Sequence, residues 1–210
     1  MRGLQVLRDV DTIAAEDTRH TGKLLHHFEI KTPQISYHQH NEQQRIPELL
    51  DRLQSGKSIA LVTDAGMPGI SDPGYLIVSA CVAAGIRVIP IPGVTAVVTA
   101  VSASGLPSDR FVFEGFIPVK GQERRDRLES VSGDARTLVF YESPHRLRQT
   151  LADFAATFGE DRQIVIGREL TKLHENFWRG SINSAIEHYT NTEPQGEYTL
   201  VVAGAPISHP

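Results

Sequence analysis

Short runs of β-forming residues alternate with helix-forming segments along this 210-residue chain. Nine such runs are candidate strands: residues 11–15, 34–38, 58–63, 87–91, 111–116, 137–141, 163–169, 176–179 and 197–203. Strands that alternate with helices are typical of units in which parallel strands are joined by helices. The pattern therefore predicts an α/β fold with largely parallel strands.

Two helices are marked at both ends by the sequence, over residues 73–84 and 144–158. Each follows a capping residue, has proline at its first position and precedes a glycine. The caps are Asp72 and Ser143, and the glycines are Gly85 and Gly159. In the second helix, apolar residues recur at helical spacing, which predicts that this stripe faces the core. They are Leu147, Leu151, Phe154 and Phe158.

The two halves of the chain differ in the spacing of their strands and in their composition. As far as about residue 105 the strands are short and lead into turns that contain glycine and proline, whereas after Pro107 the strands lie closer together and aromatic residues increase. The sequence predicts two α/β domains, residues 1–108 with a parallel sheet and residues 109–210 with a mixed sheet. No long linker joins them, so we expect a cleft between the domains that suits a ligand.

Charge and composition limit the partners and the cellular location that we expect for this chain. With 21 Lys and Arg against 25 Asp and Glu, the net charge is −4, so contact with nucleic acid would depend on a local patch. Cys81 stands alone among apolar neighbours, which predicts a buried, unreactive thiol and excludes an internal disulfide. Neither a signal peptide nor an apolar span of about 20 residues is present. We expect a soluble, cytoplasmic protein that is not inserted in a membrane.

Several common active-site motifs are missing from the sequence. It has no P-loop, no G-x-G-x-x-G after a strand, no H-E-x-x-H and no G-x-S-x-G. ATPases, ordinary dehydrogenases, zinc proteases and α/β-hydrolases are therefore disfavoured. His26, His27, His38 and His40 have no carboxylate at a recognised ligand spacing, so no metal is expected.

Four polar turns follow predicted strands, at the end where open α/β sheets bind their ligands. They are AEDTRHT at 15–21, TDAGMPGISDPG at 63–74, IPGVTA at 91–96 and FYESPHR at 140–146. Gly66 and Gly69 carry no side chain, so a ligand can approach the backbone of the second turn. Taken alone, the first turn is equally consistent with a helix start capped by Asp17 or Thr18. Four such turns together favour a binding site.

These turns, with GLPSDRFVFEGFIP at 105–118, REL at 168–170 and GEYTLVV at 196–202, resemble the tetrapyrrole methylase superfamily in order over nearly the whole chain. The pair AEDTRHT and FYESPHR is most similar to the branch that methylates the ribose 2′-hydroxyl of a decoding-region cytidine in 16S ribosomal RNA. The resemblance implies a homodimer that binds S-adenosyl-L-methionine between its domains. Its partner would be 16S rRNA or the small ribosomal subunit.

The resemblance assigns the cofactor to residues of three turns and the last strand: Asp64, Ala65, Gly66, Met67, Val94, Thr95, Ala96, Phe140, Tyr141 and Gly196. Methyl transfer from a sulfonium requires aligned reactants and a base that takes the hydroxyl proton. The catalytic candidates are Glu16, Asp17, Arg19, His20 and Glu142. Planar guanidinium groups suit contact with RNA, so Arg19 and Arg146, with His145, are the candidates for substrate binding.

The chain departs from the family at both ends. Relatives begin with a strand that this sequence lacks, and Met1 falls inside the helix that follows it. Many relatives also continue into a small helical domain beyond the last strand. We expect that the start was assigned too late or that the chain is a fragment.

Two other functions stay open at the level of sequence. The same fold could methylate a tetrapyrrole, or the chain could be an inactive member that binds RNA or a ribosomal particle. Residues 109–127 hold five basic and four acidic side chains, which separates these alternatives only weakly.

Overall fold

The computed structural model describes residues 1–206. It divides into two compact units, Met1–Val94 and the chain from Thr95 onward, each with its own sheet. The helix Ala96–Ser104 belongs to the second unit by this division. The sequence boundary near residue 108 stays a prediction.

The first unit alternates helices with the strands of a parallel sheet. In chain order its elements are α1 (Arg2–Asp9), β1 (Thr12–Ala15), α2 (Thr18–His27), β2 (Gln34–Ser36), α3 (Glu42–Gln54), β3 (Ile59–Val62) and α4 (Tyr75–Ala83). The strand order is β2-β1-β3, and both pairings are parallel. Ala15 lies opposite both Ser36 and Val62, so the three carboxyl ends lie at one edge.

Strand β1 is the centre of this unit, and all four of its residues are buried. Successive side chains of a strand point to opposite faces of the sheet. Ile13 packs against Leu25 of α2, whereas Ala14 packs against Leu49 of α3 and Ile77 of α4. Both faces of the sheet are therefore covered, as a parallel sheet requires.

The second unit contains a mixed sheet. Its elements are α5 (Ala96–Ser104), β4 (Phe111–Phe116), α6 (Gly121–Ser132), β5 (Thr137–Glu142), α7 (Leu147–Phe158), β6 (Gln163–Arg168), β7 (Asn176–Ser181), α8 (Ile182–Asn191) and β8 (Tyr198–Val202). The strand order is β4-β5-β8-β6-β7, with β4 and β5 parallel and the other pairings antiparallel. The predicted α/β fold with one parallel and one mixed sheet is confirmed.

Helices also cover both faces of the second sheet. The predicted apolar stripe of α7 is buried, with Leu151 and Phe154 fully inaccessible, and it packs in a cluster with α8 and one face of the strands. On the other face, Val97 and Val101 of α5 pack with Val201 of β8. The stripe prediction is confirmed.

Residues 87–91, predicted as a strand, form none in the described part of the chain, and that prediction was wrong. Val88 and Ile89 are 43% and 49% exposed. A strand exists only when its backbone groups pair with a neighbour, and β-forming side chains do not supply that neighbour.

Both marked helices begin later than predicted. Helix α4 begins at Tyr75 with Gly74, not Asp72, at the N-cap, and α7 begins at Leu147 after a turn that contains Pro144. Gly74 has φ 147°, and a Cβ there would lie 2.8 Å from the nitrogen of Gly69, so the loop folds back on itself at this point.

The ends of these helices agree with the sequence, because the glycines that follow them, Gly85 and Gly159, have φ 69° and 93°. Cys81 is buried as predicted, and burial raises the pKa of its thiol. No helix within residues 1–206 is long and apolar enough to cross a membrane.

Candidate active site

In the first unit, the turns that follow β1 and β3 meet at the carboxyl edge of the sheet. The main-chain N–H of Asp64, just beyond β3, donates a hydrogen bond to Glu16 Oε2 at 3.2 Å. Glu16 itself continues the parallel ladder, because its N–H donates to the carbonyl of Val62 at 3.0 Å. Two of the predicted turns are thus brought together, with a carboxylate between them.

Asp17 has a different environment from its neighbour. It caps α2 by accepting from the N–H of Arg19 at 2.8 Å, and the guanidinium of Arg19 donates to both of its oxygens. The hydrogen bonds from Arg19 hold the pKa of Asp17 far below its ordinary range. A carboxylate stabilised in this way is a weak base, whereas the Arg19 side chain stays 88% exposed. His20 follows on α2 and is exposed.

The β3 turn keeps its backbone open to a ligand. Gly66 and Gly69 adopt left-handed φ values of 72° and 81°, and the N–H of Gly69 donates to the carbonyl of Pro73 at 3.2 Å. A Cβ placed on Gly66 would meet nothing within 4 Å. The segment Asp64–Met67 therefore offers main-chain groups beside empty space, which fits the close approach of a polar cofactor.

The third predicted turn spans the division between the units. On the first side, Gly93 lies next to the β3 turn, since a Cβ there would be 3.8 Å from Met67 Sδ, and Val94 is 60% exposed. In the second unit, Thr95 is the N-cap of α5, whose first residue is Ala96, and its side chain makes no capping hydrogen bond. The first N–H groups of α5 are therefore not capped by Thr95.

His38, two residues beyond the end of β2, was considered from the sequence only as a metal ligand. Its N–H donates to Asn41 Oδ1 at 2.8 Å, and Asn41 also donates to Ser36 Oγ at 2.8 Å, which fixes the turn. The Nδ1 atom of His38 is buried and has no hydrogen-bond partner within residues 1–206. Its position after a strand end could have identified it. Within residues 1–206 no group of three or more His, Cys, Asp or Glu could hold a metal.

In the second unit, the carboxyl ends of β4 and β5 lie at the same edge as the start of β8. Phe116 is level with Tyr141, and Glu142 is level with Tyr198. The predicted residues of the FYESPHR turn and Gly196 therefore share one edge of this sheet.

Glu142 is fully buried and saturated with hydrogen bonds. It accepts from Arg146 Nε at 2.8 Å, from the N–H of Ser143 at 2.7 Å and from Thr150 Oγ1 at 2.5 Å, and Arg146 Nη2 adds a contact at 3.1 Å. The side chain of Arg146 is 24% exposed and is held in this pair. This arrangement indicates that Glu142 anchors the turn, because taking a proton would disrupt several bonds at once.

Arg124 of α6 extends the cluster. It donates to Thr150 Oγ1 at 2.8 Å, to Asp153 Oδ2 at 2.6 Å and to the carbonyl of Pro118 at 3.0 Å. We call Arg124, Glu142, Arg146, Thr150 and Asp153 the buried ion network. It joins α6, the β5 turn and α7.

Phe140 and Tyr141, the two aromatic residues of the FYESPHR turn, differ in their surroundings. Phe140 is fully buried and its ring packs 4.9 Å from that of Phe154, so its side chain belongs to the core. Tyr141 is half-buried, and its ring lies 5.6 Å from that of Phe116. His145 is exposed at the tip of the turn.

Gly196 precedes β8 in a tight approach that only glycine allows. Its φ is 78°, and a Cβ would lie 2.6 Å from Glu169 Cγ. The N–H of Glu197 donates to Glu169 Oε1 at 2.8 Å, and this bond holds the pKa of Glu169 below its ordinary value.

Comparison with known proteins defines the class. Residues 1–186 match the family model described as tetrapyrrole (corrin/porphyrin) methylases, so the chain belongs to the tetrapyrrole methylase family, a family of methyltransferases. Among solved structures, diphthine synthase superposes with a TM-score of 0.74 at 14% identity, over 97% of this chain and 83% of that one. The methyltransferase CobJ gives 0.71 at 18% identity, over 96% and 86%. At these identities they show the shared fold.

Curated relatives with higher identity have a more specific name. The chain is 56% identical over 204 residues to ribosomal RNA small subunit methyltransferase I of Synechocystis sp., which covers 97% of this chain and 73% of that protein. It is 51% identical over 205 residues to the protein of the same name from Escherichia coli O157:H7, covering 97% and 72%.

Proposed function

We propose that this chain is an S-adenosyl-L-methionine-dependent methyltransferase that methylates the ribose 2′-hydroxyl of a cytidine in the decoding region of 16S rRNA. The observation that carries the proposal is its identity of 51–56%, over 97% of the chain, to relatives named for methylation of small-subunit ribosomal RNA. The motifs of the first and fourth turns support the 2′-O-cytidine specificity.

The cofactor would supply an electrophilic methyl group on its sulfonium. In the first unit we assign its binding to Asp64–Met67, where the backbone at Gly66 borders empty space, and to Val94. In the second unit we assign Thr95, Ala96, Tyr141 and Gly196. For Phe140 the proposal is limited to its backbone, because its side chain is enclosed in the core.

Glu16 is the general base in this proposal. Its carboxylate accepts a hydrogen bond from the N–H of Asp64, in the turn assigned to the cofactor. The other two carboxylates are less suited to this role. Arg19 depresses the pKa of Asp17, and Glu142 is surrounded by hydrogen-bond donors. Arg19, with its exposed guanidinium, would contact a phosphate of the RNA. His20 and His145 are exposed in the first and fourth turns, and Arg146 acts by holding Glu142.

We also propose a cytoplasmic homodimer. Helix α4 is apolar on all sides, yet Tyr75, Val78 and Val82 are exposed. A helix that is apolar all round is typically enclosed, so this face supports association with a second copy. Light scattering on the purified protein would give twice the monomer mass if the proposal holds.

Two experiments separate the proposal from its alternatives. Calorimetry with S-adenosyl-L-methionine should give saturable binding, and an absence of binding would favour an inactive member of the family. Transfer of a labelled methyl group should occur to 16S rRNA or small subunits and not to uroporphyrinogen, and the reverse outcome would make the chain a tetrapyrrole methylase.

A further inference from the structure

An open surface groove, called the cavity below, lies beside the carboxyl end of β4 and the first turns of α6, entirely within the second unit. Its lining residues are Phe116, Pro118, Glu123, Asp126, Arg127 and Ser130. None of these is among the residues assigned above to catalysis or to the cofactor.

Phe116 gives this cavity an aromatic wall. Its side chain is 55% exposed although it ends a strand of the sheet, and its ring lies 5.6 Å from that of Tyr141 in a tilted arrangement. An accessible aromatic ring that packs against a second ring is a surface on which a nucleic-acid base can stack.

The polar lining suits the edge of a base. Glu123 and Asp126 present carboxylates, and acidic side chains accept hydrogen bonds from exocyclic amino groups such as N4 of cytosine. Asp126 is positioned by Gln122, whose amide donates to Asp126 Oδ1 at 2.6 Å.

Arg127 adds a fixed positive charge to the wall. Its Nη2 lies 2.5 Å from Glu114 Oε2, and the Glu114 side chain is only 4% exposed. The Arg127 side chain is itself 50% exposed, so donors remain for a phosphate oxygen. The ion pair keeps the guanidinium beside Glu114.

The buried ion network fixes the segment between β4 and α6. Arg146 Nη2 donates to the carbonyl of Ile117 at 3.0 Å, and Arg124 Nη1 donates to that of Pro118 at 3.0 Å. Two arginines therefore hold consecutive carbonyls, so the rim of the cavity is formed before a ligand arrives and less ordering is required on binding.

We propose that this cavity binds an RNA base that carries an exocyclic amino group, stacked on Phe116, with its amino group on the acidic side and an adjacent phosphate on Arg127. The inference rests on the proposed function for the presence of RNA. Bases of single-stranded RNA are splayed out and stacked on aromatic side chains in this way.

The test compares Phe116→Ala, Phe116→Trp and a matched control. The control is Phe111→Ala, at the start of the same strand, 38% exposed and outside the cavity. Binding of a synthetic RNA fragment of the decoding region is measured by fluorescence anisotropy, and the KM for that RNA by methyl transfer. We expect Phe116→Ala to raise both the Kd and the KM on the order of tenfold. Phe116→Trp and Phe111→Ala should stay near the wild type.

The outcomes separate the two proposals. If the wild type methylates the RNA and Phe116→Ala leaves the Kd and KM unchanged, the cavity inference is overturned and the proposed function stands. If the wild type binds the RNA without methylating it and Phe116→Ala weakens binding, the cavity inference holds and the proposed function fails. If the wild type neither binds nor methylates the RNA, both proposals are overturned. Thermal denaturation of each variant checks that the fold is intact.

Discussion

Glu16 and Asp17 are neighbours in sequence but have separate roles. Asp17 is occupied by the cap of α2 and by Arg19, and the resulting drop in its pKa makes it a poor proton acceptor. Glu16 reaches across to the β3 turn through the N–H of Asp64. A substitution at Glu16 should therefore affect both proton transfer and the shape of the turn, and two substitutions can separate these effects.

We expect Glu16→Gln to reduce the rate of methyl transfer about 100- to 10,000-fold, the usual contribution of a general base. Its amide oxygen still accepts from Asp64, so the affinity for S-adenosyl-L-methionine should be retained. Glu16→Ala removes the acceptor and should also weaken cofactor binding by about 2- to 10-fold. Single-turnover kinetics and calorimetry measure the two quantities, and a Glu16→Gln variant with the wild-type rate would contradict the assignment.

The sequence identified the turn that contains Glu142, but it could not show what surrounds that residue. Acids and cations after a strand predicted a reactive cluster. In the structure, Glu142 instead accepts a hydrogen bond from Thr150 of α7, which itself accepts one from Arg124 of α6. Burial depends on such distant partners. His38 was considered only as a metal ligand, because the burial of its Nδ1 atom becomes apparent only when the strand end is packed.

At the scale of elements, the buried ion network fastens α6 and α7 to the turn after β5. Removing one partner of a buried pair leaves an uncompensated charge, which costs far more than the loss of a surface pair.

We expect Arg146→Ala to lower the free energy of unfolding by roughly 3 kcal/mol, because Glu142 would stay buried without its guanidinium. Arg125→Ala is the control, since Arg125 is an exposed residue of α6 whose side chain, within residues 1–206, hydrogen-bonds only to Gln122 on the same helix. Its effect should stay within about 0.5 kcal/mol. Urea denaturation measures both, and equal losses for the two variants would contradict a stabilising role for the network.

The starts of β1 and β3 are joined by Asp11. Its carboxylate accepts from the N–H and hydroxyl of Ser58 at 2.8 and 2.9 Å and from Lys57 at 3.0 Å. The N–H of Ser58, with the other donors, lowers the pKa of Asp11 from 3.8 to about 2. A depressed pKa contributes stability above the ordinary value of 3.8, and that contribution is lost as the pH falls through about 2.

We therefore expect Asp11→Asn to be less stable than the wild type at neutral pH. The difference should shrink as the pH falls from 3.8 towards 2, because the native carboxylate then takes up its proton. Urea midpoints recorded across that range test the linkage. A difference that stays constant down to the lowest pH would show that the ionised form of Asp11 is not what joins the two strands.

Most strands were predicted from their β-forming composition, whether central as β1 or at an edge as β7, because each of them has a neighbouring strand to pair with. Residues 87–91 have the same β-forming composition as true strands, yet they lack a ladder in the described chain. Helix ends marked by glycine were predicted well because a left-handed φ is a local property. Helix starts shifted because Pro73 and Pro144 are equally compatible with the preceding turns.

At the scale of the whole molecule, an acidic chain of net charge −4 is proposed to act on RNA. Because the net charge is negative, non-specific attraction to phosphate cannot bring the RNA to the protein, so individual cations at defined positions must bind it. Arg19 in the first unit and Arg127 in the second are exposed and held by an acidic partner. Such pairs favour recognition of a defined site over non-specific electrostatic binding to any RNA.

The central claim is tested most directly by mapping ribose methylation on 16S rRNA. Small subunits that lack the decoding-region modification are incubated with the protein and S-adenosyl-L-methionine, and 2′-O-methyl groups are then located along the RNA. The account predicts one new methyl group on a decoding-region cytidine, absent when Glu16→Gln replaces the wild type. A methyl group on a base, at another region of the RNA or on no nucleotide would contradict it.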